Sequence, residues 1–223
     1  MTTRIIQEKI NQDICLKAID VSKNFAVFRK IFSGINIELN SGDSLAVTGD
    51  NGSGKTTLLR ILAQNIRASS GTIDFFVGTD KINPESFYRY IGFVSPYLNL
   101  YEEFTPEEHI GMYCKIRAQE YVPALATELL KRFGIYGRRL DPIGSFSSGM
   151  KQRVKYIISL ICKPQVLFFD EPMTNLDQTG MAQVSSIIPE LTESGCIVII
   201  ATNSEEEKKL CGKLLSINDY KSN

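Results

Sequence analysis

The 223-residue chain has no net charge: 25 lysines and arginines stand against 25 aspartates and glutamates. Without a basic field, composition gives no reason to expect nucleic-acid binding, and any anion site has to be local. The five cysteines, at positions 15, 114, 162, 196 and 211, form no C-x-x-C pair and no zinc-like spacing. They are expected to be reduced thiols of a cytosolic protein, most of them small core hydrophobes. The opening stretch from Met1 to Asp13 has charged and polar groups throughout and no apolar signal core, and no later apolar run approaches membrane-spanning length. Neither a secretory route nor a membrane span is expected. Repeats and low-complexity linkers are also lacking. What is present, 43% hydrophobic and 22% charged residues over this length, excludes disorder and suffices to bury the core of one domain or two intimate subdomains.

Short β-like runs alternate with helical patterns, which predicts a largely parallel sheet covered by helices. Ile35, Ile37 and Leu39 alternate with polar neighbours as a half-buried strand does, and Ser41-Gly42-Asp43 follows as a turn. Leu45 to Thr48 is the next strand. The runs Val166 to Phe169 and Cys196 to Ala201 lack alternation, the pattern of central strands buried on both faces. Residues from about Pro84 to Lys155 read as mostly helical, with a capping-box start at Thr105-Pro106-Glu107-Glu108.

Gly49-Asp50-Asn51-Gly52-Ser53-Gly54-Lys55-Thr56-Thr57 follows a strand and precedes the apolar-periodic segment Leu58, Leu59, Leu62, Ile66. Glycines let the backbone curl so that successive N–H groups face phosphate oxygens, and the helix adds the positive end of its dipole. Lys55 then reaches the β- and γ-phosphates, the Thr56 hydroxyl ligates Mg²⁺, and Thr57 adds a hydrogen bond. A glycine-rich turn with an ordinary surface lysine does not explain the spacing, the adjacent Lys-Thr pair and the strand–helix context together.

A second element is the buried strand that ends in Asp170 and Glu171. Asp170 is placed to hold Mg²⁺ and Glu171 to polarise the water that attacks the γ-phosphate. Two acids ending a strand before Pro172 are common in unrelated folds; after the phosphate loop they acquire meaning. A third element, Phe146-Ser147-Ser148-Gly149-Met150-Lys151-Gln152-Arg153, begins a helix N-capped by Ser147, with Met150, Val154, Ile157, Ile158 and Ile161 on one face and Pro164 beyond its end. By itself it is a well-capped core helix.

Taken in their order along the chain, glycine loop, capped helix and acid-ended strand, the three elements resemble those of the ABC (ATP-binding cassette) ATPase family, over nearly the whole chain from about Val21. The glycine loop resembles Walker A, Val166 to Glu171 resembles Walker B with its catalytic glutamate, and Phe146 to Met150 resembles the signature sequence. Thr174-Asn175-Leu176-Asp177 looks like the D-loop, and Phe25 matches the aromatic that stacks on adenine, with Phe28 as the alternative. The resemblance implies an α/β P-loop NTPase fold: a RecA-like core, an antiparallel β subdomain and a helical signature subdomain. Residues 1–84 and 156–223 would form the catalytic core and 85–155 the helical part of one nucleotide-binding domain. It implies an ATPase that uses ATP and Mg²⁺, with Asn51, Gly52, Ser53, Gly54, Lys55, Thr56 and Thr57 around the phosphates and Thr56 and Asp170 on the metal. It also implies a head-to-tail homodimer or heterodimer in which Ser147 and Gly149 reach the partner's γ-phosphate. Closure would power a membrane transporter through separately encoded permease subunits, which would hold the cytoplasmic chain at the inner membrane face. A soluble ABC ATPase and a degenerate regulatory subunit are the alternatives.

Several positions depart from the family pattern. Pro96 occupies the place of the Q-loop glutamine, and Asn203 that of the switch histidine; Asn203 keeps an amide for the γ-phosphate but has no imidazole, so slower hydrolysis is expected. Ser148 and Met150 replace a glycine and a glutamine of the signature. His109, the sole histidine, falls in a predicted helix and reads as an ordinary helical residue.

Overall fold

The computed structural model describes residues 12–26 and 29–221. Phe28 and most of the opening stretch Met1 to Asp13 lie outside them. The described residues build two sheets and a helical layer.

The first sheet is antiparallel, in the order β2-β1-β4-β5, from β1 (Ile14–Ala26), β2 (Arg29–Asn40), β4 (Ser70–Val77) and β5 (Asp80–Lys81). The alternation around Ile35, Ile37 and Leu39 is realised in β2, where these three are buried and Asn36, Glu38 and Asn40 exposed. The second sheet is parallel, in the order β6-β7-β8-β3-β9, from β3 (Ser44–Thr48), β6 (Ile91–Val94), β7 (Val166–Asp170), β8 (Ile197–Ala201) and β9 (Lys213–Ser216). The two non-alternating runs are its central strands.

Their period of two assigns side chains to two cores. Val166 and Phe168 join Ile197 and Ile199 in the layer that includes the antiparallel sheet and α1 (Lys55–Leu62). Leu167 and Phe169 join Val198 and Ile200 in the layer formed with α2 (Pro106–Ile116), α3 (Pro123–Arg132), α4 (Ser148–Ile161) and α5 (Gln178–Glu193). Phe168 and Phe169 have no exposed surface, and truncating either to alanine costs about 3–5 kcal/mol. A last short helix, α6 (Glu205–Lys208), leads into β9.

Two local readings change. The span 84–155 is mostly helical, but Ile91–Val94 within it is β6, an edge strand of the parallel sheet, paired with β7 from Ile91↔Val166 to Val94↔Phe169. Four residues are too short to carry a periodicity, and their identity as a strand comes from the neighbour. The helix after the phosphate loop ends at Leu62, so Ile66 lies beyond it, packed against the same core. All five cysteines are free thiols; Cys114, Cys162 and Cys196 are buried, whereas Cys15 and Cys211 are partly exposed.

Candidate functional site

The carboxyl ends of β3, β6, β7 and β8 face one side, the edge at which open α/β sheets hold ligands. The glycine loop leaves β3 there. Gly54 is the N-cap of α1 with φ 109°, a backbone open to glycine, and a Cβ on it would stand 2.5 Å from Cγ2 of Ile31 on β2. The loop is thus pressed against the antiparallel sheet. No side chain caps α1 and no acid lies in its first turn, whereas α2 has the expected Thr105–Glu108 capping box, α4 is capped by Ser147 and α5 by Asp177. The N–H groups of α1 are left for an external acceptor. Lys55, 7% exposed, donates through Nζ to the carbonyls of Gly49 (2.7 Å) and Asp50 (3.1 Å). Burial lowers its pKa, with Glu171 and Asp170 opposing that shift.

Asp170 ends β7 and is 1% exposed. Thr56 Oγ1 donates to its Oδ1 at 2.8 Å and Ser95 Oγ to its Oδ2 at 3.2 Å. Burial raises the carboxyl's pKa, and the two hydroxyl hydrogen bonds pull it back. Glu171 has φ 48°, a left-handed backbone held by its N–H on the Ala201 carbonyl at 2.9 Å. Such a conformation costs about 1–3 kcal/mol and persists only where the surroundings fix it. The Thr174 hydroxyl reaches Glu171 Oε2 at 3.4 Å.

A cavity of about 630 Å³ is lined by Phe25, Ile31, Asn51, Gly52, Gly54, Lys55, Thr56, Thr57, Tyr97 and Glu171. Most of the residues expected around phosphate therefore share one space with Glu171. Phe25 is 60% exposed, with Lys23 Nζ 5.2 Å from its ring centroid, so it is a cavity residue and not a core one. Ser53 is buried, its hydroxyl without a protein partner, and is not among the lining residues. Asp170 lies behind Thr56. Asn203, after β8, donates to Asn51 Oδ1 at 2.7 Å and so touches the loop from outside the cavity. Ser147 is exposed and Gly149 half-buried, and neither lines the cavity.

The departures have definite settings. The Pro96 carbonyl accepts from Lys155 Nζ at 2.7 Å. His109 is a buried residue of α2 whose Nε2 accepts from the Tyr101 N–H at 3.0 Å, with its ring stacked on Tyr101. It is a packing residue, as its helical setting suggests. Sequence reasoning missed Ser95, Tyr97 and Lys155. The available signal for Lys155 was a charge set between Val154 and Tyr156 in an otherwise apolar half-helix.

The sequence profile of the ABC transporter family matches residues 32–174. The lipoprotein-releasing system ATP-binding protein LolD of Alcanivorax borkumensis is 32% identical over 199 residues, 85% of this chain and 87% of that protein. The daunorubicin/doxorubicin resistance ATP-binding protein DrrA of Streptomyces peucetius is 27% identical over 92% of this chain, which spans 63% of its length. Among solved structures, a dimeric ATP-binding cassette in a post-hydrolysis state bound to ADP and Pi superposes with a TM-score of 0.78 at 20% identity, covering 90% of this chain and 93% of that one. At that identity the likeness establishes the fold.

Proposed function

The chain belongs to the ABC transporter family as an ATP-binding subunit, and from that premise we propose that it binds ATP in the cavity shared by Lys55, Thr56 and Glu171 and hydrolyses it to drive a membrane transporter. The observation that carries the site is the start of α1, where uncapped N–H groups, no acid and the ammonium of Lys55 converge on one cavity. Asn51, Gly52, Ser53 and Gly54 give the backbone cradle, Lys55 the compensating charge and Thr57 a further hydroxyl. Phe25 offers its exposed face to the base.

Thr56 and Asp170 fit Mg²⁺: a hydroxyl and a carboxylate in contact are hard oxygen donors, as few as that ion takes from a protein beside a triphosphate. Held there, the ion would supply positive charge to offset the negative charge that develops on the phosphate oxygens. Glu171 orients and polarises the attacking water, its left-handed backbone aiming the carboxylate into the cavity. Asn203 presents an amide near the γ-phosphate from the end of β8.

Ser147 and Gly149 stand on the exposed first turn of α4, away from their own cavity. We place them on the nucleotide of a second subunit, in a homodimer or heterodimer that closes on ATP and opens after hydrolysis. No helix among the described residues is long and apolar enough to cross a membrane. Separate permease subunits, with this chain docked on their cytoplasmic face, complete the transporter.

Phosphate release and calorimetry test the site. The parent releases phosphate from ATP in the presence of Mg²⁺, and Lys55→Ala lowers ATP affinity about a hundredfold while remaining folded. Equal ATP affinity in parent and folded variant would remove the assignment.

A further inference from the structure

Lys155 is 7% exposed in the middle of α4. Among the described residues its ammonium forms no ion pair and donates instead to two carbonyls of one loop, Ser95 at 3.1 Å and Pro96 at 2.7 Å. A buried ammonium without a carboxylate is expensive and is retained where its hydrogen bonds hold something in place. One turn further along α4, the Ser159 hydroxyl donates to the carbonyl of Phe93 at 3.0 Å. Positions 155 and 159 share a helix face, so α4 is stapled twice to β6 and its exit loop.

That loop reaches the Asp170 carboxylate. Ser95 Oγ accepts from the Tyr97 N–H at 3.3 Å, which directs its own proton to Asp170 Oδ2 at 3.2 Å. The other oxygen of Asp170 holds Thr56. A continuous path therefore runs from Lys155 through the Ser95 backbone and hydroxyl to Asp170 and Thr56. Pro96 itself has no side-chain donor or acceptor; what the loop offers is its carbonyls, and α4 takes hold of them. The same helix begins with Ser147 and Gly149.

We infer that Lys155 is a positioning residue for the metal side of the nucleotide site, fixing the Ser95–Pro96 loop to α4 so that Asp170 is set by the position of that helix. The inference rests on the ATPase reading above. In this chain the tie between the signature-like helix and Asp170 is made by a lysine reaching from the helix to the loop backbone. Its consequence is that the Ser95–Pro96 loop, and through it the hydrogen bond of Ser95 on Asp170, follows the position of α4.

Lys155→Met keeps the length and apolar stem and removes the donors. ATP affinity is measured by calorimetry with Mg²⁺ and again with EDTA, alongside kcat and KM. The ratio of the two affinities is expected to fall about tenfold and kcat at least tenfold, while affinity in EDTA stays within about twofold. Lys155→Arg restores part of both losses, because its guanidinium also donates to carbonyls. Ser95→Ala, a small change that tests the path if the methionine variant does not fold, reproduces the loss, and adding Lys155→Met to it deepens the loss little. A Lys155→Met or Ser95→Ala protein with parental Mg²⁺ dependence and kcat, or a double variant whose losses multiply, overturns the inference. A parent that neither binds nor hydrolyses ATP defeats the underlying ATPase reading instead.

Discussion

The side-chain amide of Asn203 donates to the Oδ1 of Asn51 at 2.7 Å, joining the loop after β8 to the tip of the phosphate loop across 152 residues of sequence. Both side chains are exposed, so the bond is worth about 0.5–1.5 kcal/mol at most. It nevertheless fixes the side from which the Asn203 amide approaches the phosphate loop. A neutral amide there can donate but cannot carry the charge of an imidazolium. Asn203→His is expected to raise the single-turnover hydrolysis rate about tenfold and to change ATP affinity by less than about threefold. Rapid hydrolysis by the parent that slows in the variant would mean that the asparagine belongs to a different working arrangement.

Gly54 and Gly52 both have positive φ, 109° and 76°, but only a Cβ on Gly54 would collide, at 2.5 Å from Ile31 Cγ2; none at Gly52 meets an atom within 4 Å. Gly54→Ala should cost about 2–4 kcal/mol, combining left-handed strain with overpacking. Gly52→Ala should cost about 1 kcal/mol. Chemical denaturation of the two variants measures the difference, and equal losses would mean that the contact of the loop with β2 is not tight.

Glu207 of α6, 4% exposed, accepts from the Met173 N–H at 2.9 Å and ties the segment after Glu171 to the loop that carries Asn203. Burial raises its pKa above the ordinary 4.5, opposed by hydrogen bonds from Thr202 and Met173 and reinforced by nearby Glu171 and Glu206. The folded state thus favours the protonated form. That contribution to stability is complete below the unfolded pKa and is lost as pH rises through the folded one. Glu207→Gln keeps an acceptor for Met173 without the charge, so its melting temperature should exceed the parent's near pH 7 and approach it below about pH 4. A variant destabilised equally at both pH values would assign Glu207 a purely steric role.

The parts of the site read from the sequence are those whose chemistry is contiguous. The glycine loop, the Asp170-Glu171 pair and the Ser147 cap each declare themselves within ten residues. The central strands were legible because burial on both faces removes alternation. β6 was not: four residues carry no period, and Gly92 is demanded by its neighbours, since a Cβ there would lie 2.4 Å from Leu167 Cδ1. Ser95 meets Asp170 across 75 residues, a relationship no local pattern encodes. Lys155 stands out in the sequence only as a charge within an apolar half-helix, and its partners, the Ser95 and Pro96 carbonyls, lie 60 and 59 residues away. Phe25 is marked in the sequence only by its match to a family aromatic, whereas its exposure at the cavity comes from its place near the end of β1.

In the proposed cycle, ATP holds two subunits closed until Glu171 promotes its hydrolysis, and Glu171→Gln isolates that step. The variant keeps Lys55, Thr56 and Asp170, so it should bind ATP with parental affinity and hydrolyse it at least about a hundredfold more slowly. Light scattering of this variant with excess Mg²⁺ and ATP is predicted to give a mass of two 25.0 kDa chains, returning to one chain when the nucleotide is removed or replaced by ADP. A single-chain mass throughout, at saturating nucleotide and up to the highest soluble protein concentration, would contradict ATP-driven closure.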